Sequence, residues 1–252
     1  MFIYQEYSPN TILARYIDKY WVADGYEAKI FEFKVLPDGC IDIIFSWDDS
    51  TGRETMEEGV PYIIGGGTGY LTESMYGRIR MFGIRFLPTG IRAFIRTPAD
   101  EVTGGLLPLR ETENAFDTGL LDVIGYGLPL AEQVVNVERY LLNRLIYTYP
   151  IEKRIAHATH LIGLHNGNMN MTDLATDICL STRQFERLFR IEVGMSAKSF
   201  SRIMRMKYTK EYLKLNPERS LFEVAIDCGY YDYAHLKKEF VTLTGDLPSY
   251  FI

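Results

Sequence analysis

Cysteine is scarce in this chain. Its 252 residues hold three, Cys40, Cys179 and Cys228, odd in number and far apart. A disulfide framework needs paired cysteines at short spacing, so this usage argues for a reducing, cytoplasmic setting. Long hydrophobic runs are missing as well. No unbroken apolar stretch has the length that a bilayer span requires. The longest stretch without charge, Ile155 to Thr172, is crowded with His, Asn and Gly. Met1-Phe2-Ile3-Tyr4-Gln5-Glu6 has no basic region ahead of an apolar one, so neither a secretory signal nor a membrane partner is expected. With 47% hydrophobic and 24% charged residues, the composition is globular, with material for one large domain or two ordinary ones.

The common signatures of catalysis are also lacking. Gly65-Gly66-Gly67-Thr68-Gly69 has neither the Lys-Ser/Thr ending nor the spacing of a phosphate loop, and reads as a turn between strands. His157, His160 and His165 are near in sequence, but no Cys or carboxylate completes a zinc set at workable spacing. Cys40 stands between Asp38 and Asp42, whose charge disfavours a thiolate, so it reads as a buried strand residue. There is no Gly-x-Ser-x-Gly elbow and no His-Glu-x-x-His. These gaps point away from an enzyme, and no cofactor is expected.

Charge is present but unevenly spread. Residues 1–150 carry 13 Lys+Arg against 21 Asp+Glu, a net −8, while residues 151–252 carry 14 against 12, a net +2. Arg183 to Lys210 concentrates eight basic residues against Glu186 and Glu192, a local +6. Such a patch is either a solvated helix face or the footprint of a polyanion-binding surface.

The first half reads as strands. Phe31 to Val35 alternates apolar and polar, Leu36-Pro37-Asp38-Gly39 is turn chemistry, and Cys40 to Trp47 is a second strand. Tyr62-Ile63-Ile64 and Arg78 to Phe86 follow. In the last of these the alternation slips at Phe82-Gly83, which predicts a bulge. Arg78, Arg80 and Arg85 then fall opposite Ile79 and Met81, and an inward Arg85 would suit a carboxylate ligand. Thr89 to Arg96 reads as a short helix with Ile91, Phe94 and Ile95 inward. Several short strands between Gly and Pro suggest a barrel or sandwich.

The second half is helical. Leu130, Val134, Val137, Leu141 and Leu145 form one stripe, suited equally to a dimer seam or to packing on the chain's own strands. Tyr149-Pro150 ends that helix. Two similar patterns follow. In the first, Thr172 to Ile178 makes a short helix, Cys179-Leu180 a turn, and Ser181 with Gln184 a capping box. The next helix buries Phe185, Leu188 and Phe189 and turns Thr182, Arg183, Glu186, Arg187 and Arg190 outward. In the second, Ser220 caps a helix with Val224, Ala225 and Ile226, Gly229 supplies the turn, and Asp232 caps a helix with Leu236 and Phe240 inward. Tyr233, His235, Lys237 and Lys238 face out. Ala197 to Leu215 lies between as one long helix. A short helix, a tight turn and a capped helix with a polar outer face is the plan by which a recognition helix enters the major groove.

Val224-Ala225-Ile226-Asp227-Cys228-Gly229-Tyr230-Tyr231-Asp232-Tyr233-Ala234-His235-Leu236, with Phe240, Gly245, Pro248 and Tyr250, resembles the DNA-binding domain of AraC/XylS-type transcription regulators. Leu180 to Phe189 with Gly194 resembles the first recognition helix of that family. Cys179 stands where Gly is frequent, Lys238 where Arg is usual, and Phe251-Ile252 where Arg follows the last Tyr. Tyr20-Trp21-Val22, Leu36 to Phe45 and Phe82 to Pro88 resemble the cupin-like sensor domain found in some members.

The resemblance implies an α+β chain. Residues 1–128 are expected to form a cupin-like β-barrel for ligand sensing or dimerisation, 129–150 a linker helix, and 151–252 an all-α domain with two helix-turn-helix units. Base reading is expected from Thr182, Arg183, Gln184 and Arg187, and from Tyr233, Ala234, His235, Lys237 and Lys238. Phosphate contacts are expected from Ser181, Arg190, Lys198, Arg202, Arg205 and Lys207. The implied partners are double-stranded DNA, a small-molecule effector or a second copy, and RNA polymerase in a bacterial activator. The alternative is a DNA-targeted enzyme with a cupin-like catalytic barrel.

Overall fold

The computed structural model describes residues 2–47, 56–124 and 128–252. The chain divides into two compact units. One comprises Met1–Phe33, Cys40–Gly65 and Glu73–Ile151, and the other Lys34–Gly39, Gly66–Thr72 and Glu152–Ile252.

The strands are β1 (Phe2–Tyr7), β2 (Ile17–Val35), β3 (Ile41–Ser46), β4 (Tyr62–Gly65), β5 (Leu71–Phe86) and β6 (Leu106–Pro108). They make one sheet in the order β1-β2-β5-β3-β4-β6. The pairs β1–β2, β3–β4, β3–β5 and β4–β6 are antiparallel. The expected barrel is therefore an open sheet over the described residues. Closure would need hydrogen bonds between β1 and β6 at the two ends of that order. β6, with three residues, is instead the short edge strand that leaves little backbone unpaired.

β3 is buried along its whole length, the mark of a strand covered on both faces. On one face Ile41, Ile43 and Phe45 join Phe82, Ile84 and Phe86 in the main core. On the other, Ile44 joins Ile79, Met81, Trp21 and Ala23 in a smaller cluster. This accounts for the slipped alternation of β5. The β3–β5 register runs unbroken from Ile41↔Phe86 to Ser46↔Met81, so the expected bulge is absent from that ladder. Apolar residues simply occupy both faces. Gly83 lies on the Trp21 side, where a Cβ would sit 2.0 Å from the indole. Arg85 shares that face with Ile79 and Met81, contrary to the expectation drawn from the bulge.

After β5 the chain makes a 3-10 turn, Gly90–Ala93, where a short helix was expected. Ile91, Phe94 and Ile95 are buried. α1 (Ala99–Val102), α2 (Gly119–Val123) and α3 (Leu130–Arg144) follow. Val134, Val137 and Leu141 of α3 are part of this unit's own core, with Leu145 packed against it. The Leu130 side chain lies outside the described set. Val134, Val137 and Leu141 thus pack on the chain's own core.

The second unit contains α4 (Lys153–Leu164), α5 (Met171–Asp177), α6 (Thr182–Val193), α7 (Ala197–Leu215), α8 (Leu221–Asp227) and α9 (Tyr233–Thr244). Their shared core includes Phe185, Phe189, Phe200, Ile203, Met206, Val224, Leu236 and Phe240. Among the described residues no helix is long and apolar enough to cross a membrane.

Replacing Gly83 by alanine forces a methyl into the Trp21 indole. Overpacking of this kind costs about 1–3 kcal/mol. A urea titration of the Gly83→Ala variant is expected to show a lower midpoint, and an unchanged midpoint would mean that Trp21 has room to move.

Candidate nucleic-acid interface

The first helix-turn-helix unit is built from local chemistry. Asn170 caps α5 by accepting from Thr172 N at 2.8 Å. α5 buries Leu174 and Ala175. The turn passes through Cys179 at φ +57, a left-handed conformation uncommon for a residue with a side chain. Leu180 returns inward, and its N–H donates to the Ala175 carbonyl at 2.9 Å. Ser181 then opens α6. Its hydroxyl accepts from Gln184 N at 3.3 Å and donates to Gln184 Oε1 at 2.9 Å. The Ser181 N–H reaches that oxygen at 3.2 Å, completing the capping box. Phe185 and Phe189 are fully buried, which leaves Thr182, Arg183, Gln184, Arg187 and Arg190 exposed. Gln184 Oε1 is therefore committed to the cap.

The second element repeats this construction. Ser220 and Glu223 form the capping box of α8, and Ser220's hydrogen bonds hold the Glu223 carboxyl below the usual carboxylate range. Val224 and Ala225 are buried, whereas Ile226 is exposed. Gly229 makes the turn at φ +81, and a Cβ there would also meet Asn168 Oδ1 at 2.2 Å. Asp232 caps α9 by accepting from His235 N at 2.7 Å. Leu236, Phe240 and Leu243 point inward. Ala234, Lys237 and Lys238 are exposed, and Tyr233 is half-buried against the core. His235 is half-buried too. Its ring meets Tyr230 edge-on, with centroids 5.4 Å apart, and its Nδ1 accepts from Tyr231 N at 3.3 Å. Burial pushes the Tyr230 hydroxyl up to about 12.

α7 joins the two. Ser196 caps it, accepting from Ser199 N at 3.0 Å. Lys198 and Lys207 are exposed. Arg202 and Arg205, expected at phosphates, hold Glu239 of α9. Arg202 Nε donates to Glu239 Oε1 at 2.8 Å, and Arg205 Nη2 lies 3.2 and 3.0 Å from its two oxygens. Beside them is a cavity of about 580 Å3 lined by Lys198, Ser201, Arg202, Arg205, His235 and Glu239. Sequence reasoning passed over Glu239. The available signal was its position: it follows Leu236 by three residues, inside the Leu236–Phe240–Leu243 stripe that faces the core.

The remaining candidates lie elsewhere. Arg85 Nε donates to Asp42 Oδ1 and Oδ2 at 3.1 and 3.2 Å, and Asp42 also accepts from Trp21 Nε1 at 2.8 Å. Cys40 is buried as expected, but it lies just before β3 rather than within a strand. His157, His160 and His165 are exposed. Among the described residues no three His, Cys, Asp or Glu gather as a metal-binding group.

Comparison with known proteins follows the same division. Residues 174–252 match a helix-turn-helix domain model, and residues 5–108 match a domain of unknown function, DUF6597. The arabinose operon regulatory protein of Escherichia coli (strain K12) is 26% identical over 127 residues, which is 50% of this chain and 43% of that protein. The match thus spans less than half of that relative's length. Among solved structures, ToxT from Vibrio cholerae superposes over 99% of this chain and 97% of its own, at a TM-score of 0.47 and 10% identity. The C-terminal domain of AraT, a response regulator from Geobacillus stearothermophilus, covers 40% of this chain and 84% of its own, at a TM-score of 0.37 and 22% identity.

The two serine caps carry a stability prediction. Ser181→Ala and Ser220→Ala are each expected to lower the unfolding free energy by about 0.5–2 kcal/mol, the range for N-cap loss. Chemical denaturation measures it, and a change near zero at both positions would show the caps to be dispensable.

Proposed function

We propose that the chain is an AraC-type helix-turn-helix regulator that binds double-stranded DNA through α6 and α9 together and regulates transcription from the bound site, a reading supported by the helix-turn-helix match over residues 174–252 and the likeness to the arabinose operon regulatory protein. The observation that carries this reading is the paired construction. Two helices, each capped at its N-terminus and each buried on one side, present polar and basic outer faces, and α7 joins their two units along the chain. At 1.5 Å per residue, the 19 residues of α7 span about 28 Å, close to the ~34 Å turn of DNA that separates successive major grooves on one face.

Within this reading Thr182, Arg183, Arg187, Lys237 and Lys238 meet base edges. Ser181, Arg190, Lys198 and Lys207 meet phosphates. Arg187 is the foremost base reader, because a guanidinium can engage guanine bidentately. Lys238 offers a point charge instead, which positions without that selectivity.

The N-terminal unit would supply control, by admitting a small molecule or by pairing two chains. A carboxylate effector anchored at Arg85 would have to displace Asp42. A homodimer would use a surface other than Val134, Val137 and Leu141 of α3, which are already buried. An activator would in addition meet RNA polymerase. On this reading the protein works on DNA, in the cytoplasm.

Footprinting of the full chain on DNA flanking its own coding region tests the proposal. Two protected patches about one turn apart support it, and no protection at low salt rejects it. Arg187→Ala is expected to weaken specific binding by about 1–3 kcal/mol and to relax base preference in one patch. Lys198→Ala is expected to weaken all sequences alike and to flatten the log–log salt dependence by about one unit. Quantitative binding at a series of salt concentrations separates the two behaviours, and a base-preference change in Lys198→Ala would make Lys198 a base reader instead.

A further inference from the structure

We propose that Glu239 is a positioning residue that fixes the distance and angle between the two reading helices, and that Arg202 and Arg205 serve this clasp rather than the DNA phosphates. The inference rests on the DNA-reading role of α6 and α9 and deepens it. The Glu239 side chain is 8% exposed, and its partners Arg202 and Arg205 are 32% and 15% exposed. A carboxylate so far removed from water is retained only where cations and hydrogen bonds meet it. Both oxygens of Glu239 are met, and His235 Nε2 lies 3.4 Å from Oε1 on the same helix.

The arginines that hold Glu239 are themselves tied to the other reading element. Arg205 Nη1 is 3.5 Å from Asn168 Oδ1, and the Asn168 amide donates to the Cys228 carbonyl at 3.1 Å. Ser201, one residue before Arg202, donates to the Gly167 carbonyl at 2.6 Å. Residues 167–168 lead into α5, while Cys228 lies in the turn between α8 and α9. One polar cluster on the middle of α7 therefore grips the entry to the first helix-turn-helix and the recognition helix of the second. The Arg205 guanidinium also lies 4.8 Å over the Tyr230 ring, which restricts it further.

The physical consequence is a register. A second reading head adds affinity according to its effective concentration at its own site, which is highest when the connection holds it at the matching separation. A rigid clasp raises that concentration for one spacing of the two DNA segments and lowers it for all others. Loosening the clasp should spare the base preference of each head and blur the choice of spacing.

The test uses the full chain and duplexes that the wild-type protein enriches from a random library. Each enriched duplex is remade with one base pair inserted or removed between the two contacted segments. Glu239→Gln keeps the shape of the side chain and removes its charge. It is expected to reduce the penalty for wrong spacing on the order of tenfold, with base preference inside each segment unchanged. Arg202→Ala, a second variant at a more exposed position, is expected to do the same with an unchanged salt slope, whereas loss of a phosphate contact would flatten the slope by about 0.9. A DNA-free readout accompanies both: faster amide hydrogen exchange across residues 233–244, with residues 182–193 unaffected. A wild-type spacing penalty in Glu239→Gln, altered base preference within a segment, or a flattened slope in Arg202→Ala overturns the proposal. Failure of the wild-type chain to enrich any sequence rejects the DNA-reading role itself, and is told apart from failure of the clasp because it appears before any variant is compared.

Discussion

A protein that reads two grooves at once is only as selective as the connection between its two heads is stiff. On the proposed reading, that connection in this chain is a single helix, α7. α7 contributes Phe200, Ile203, Met206 and Leu213 to the core of the second unit, so the rod is built into the body that it organises. Its buried face fixes rotation about its own axis, and its polar middle reaches both reading elements. The capping boxes at Ser181 and Ser220 fix where α6 and α8 begin. With both ends and the rod determined, the outward faces of α6 and α9 follow without further instruction.

The same helix divides its cations by their surroundings. A basic run on a helix is an electrostatic footprint only for the charges that remain available to a partner. Lys198 and Lys207 are exposed, whereas Arg202 and Arg205 lie against a buried carboxylate. The local excess of positive charge between Arg183 and Lys210 is smaller in effect than its count, because Glu239, outside that stretch in sequence, is folded into it. Charge that is neutralised inside the protein releases no counterions on DNA binding.

What could be read beforehand divides along lines of sequence distance. Capping boxes, turn residues and the Phe185–Phe189 spacing operate within a few residues, so the helix-turn-helix units were legible one element at a time. The Glu239 clasp joins residues 34 and 37 apart in the chain, and nothing in the pattern of α7 alone marks Arg202 as different from Lys198. The open sheet was obscured for another reason. Alternation reports a strand with one wet face, and β5 has apolar residues on both faces over Ile79–Phe86. Its slip at Gly83 looked like an inserted residue, when it records the place where Trp21 crosses the strand.

Trp21 also shows why Arg85 resisted interpretation. On a strand with one dry face, an inward arginine needs a ligand or a buried acid, and the sequence offers no way to choose. The register Asp42↔Arg85 puts the acid directly across the ladder, where an opposite-charge pair stabilises the sheet locally. Trp21 donates to the same carboxylate and leans over Gly83, so the pair, the indole and the missing side chain form one packed arrangement. A ligand entering at Arg85 would have to compete with Asp42 and leave that carboxylate part-buried with one donor fewer, an unfavourable exchange unless the ligand brought its own donor to Asp42.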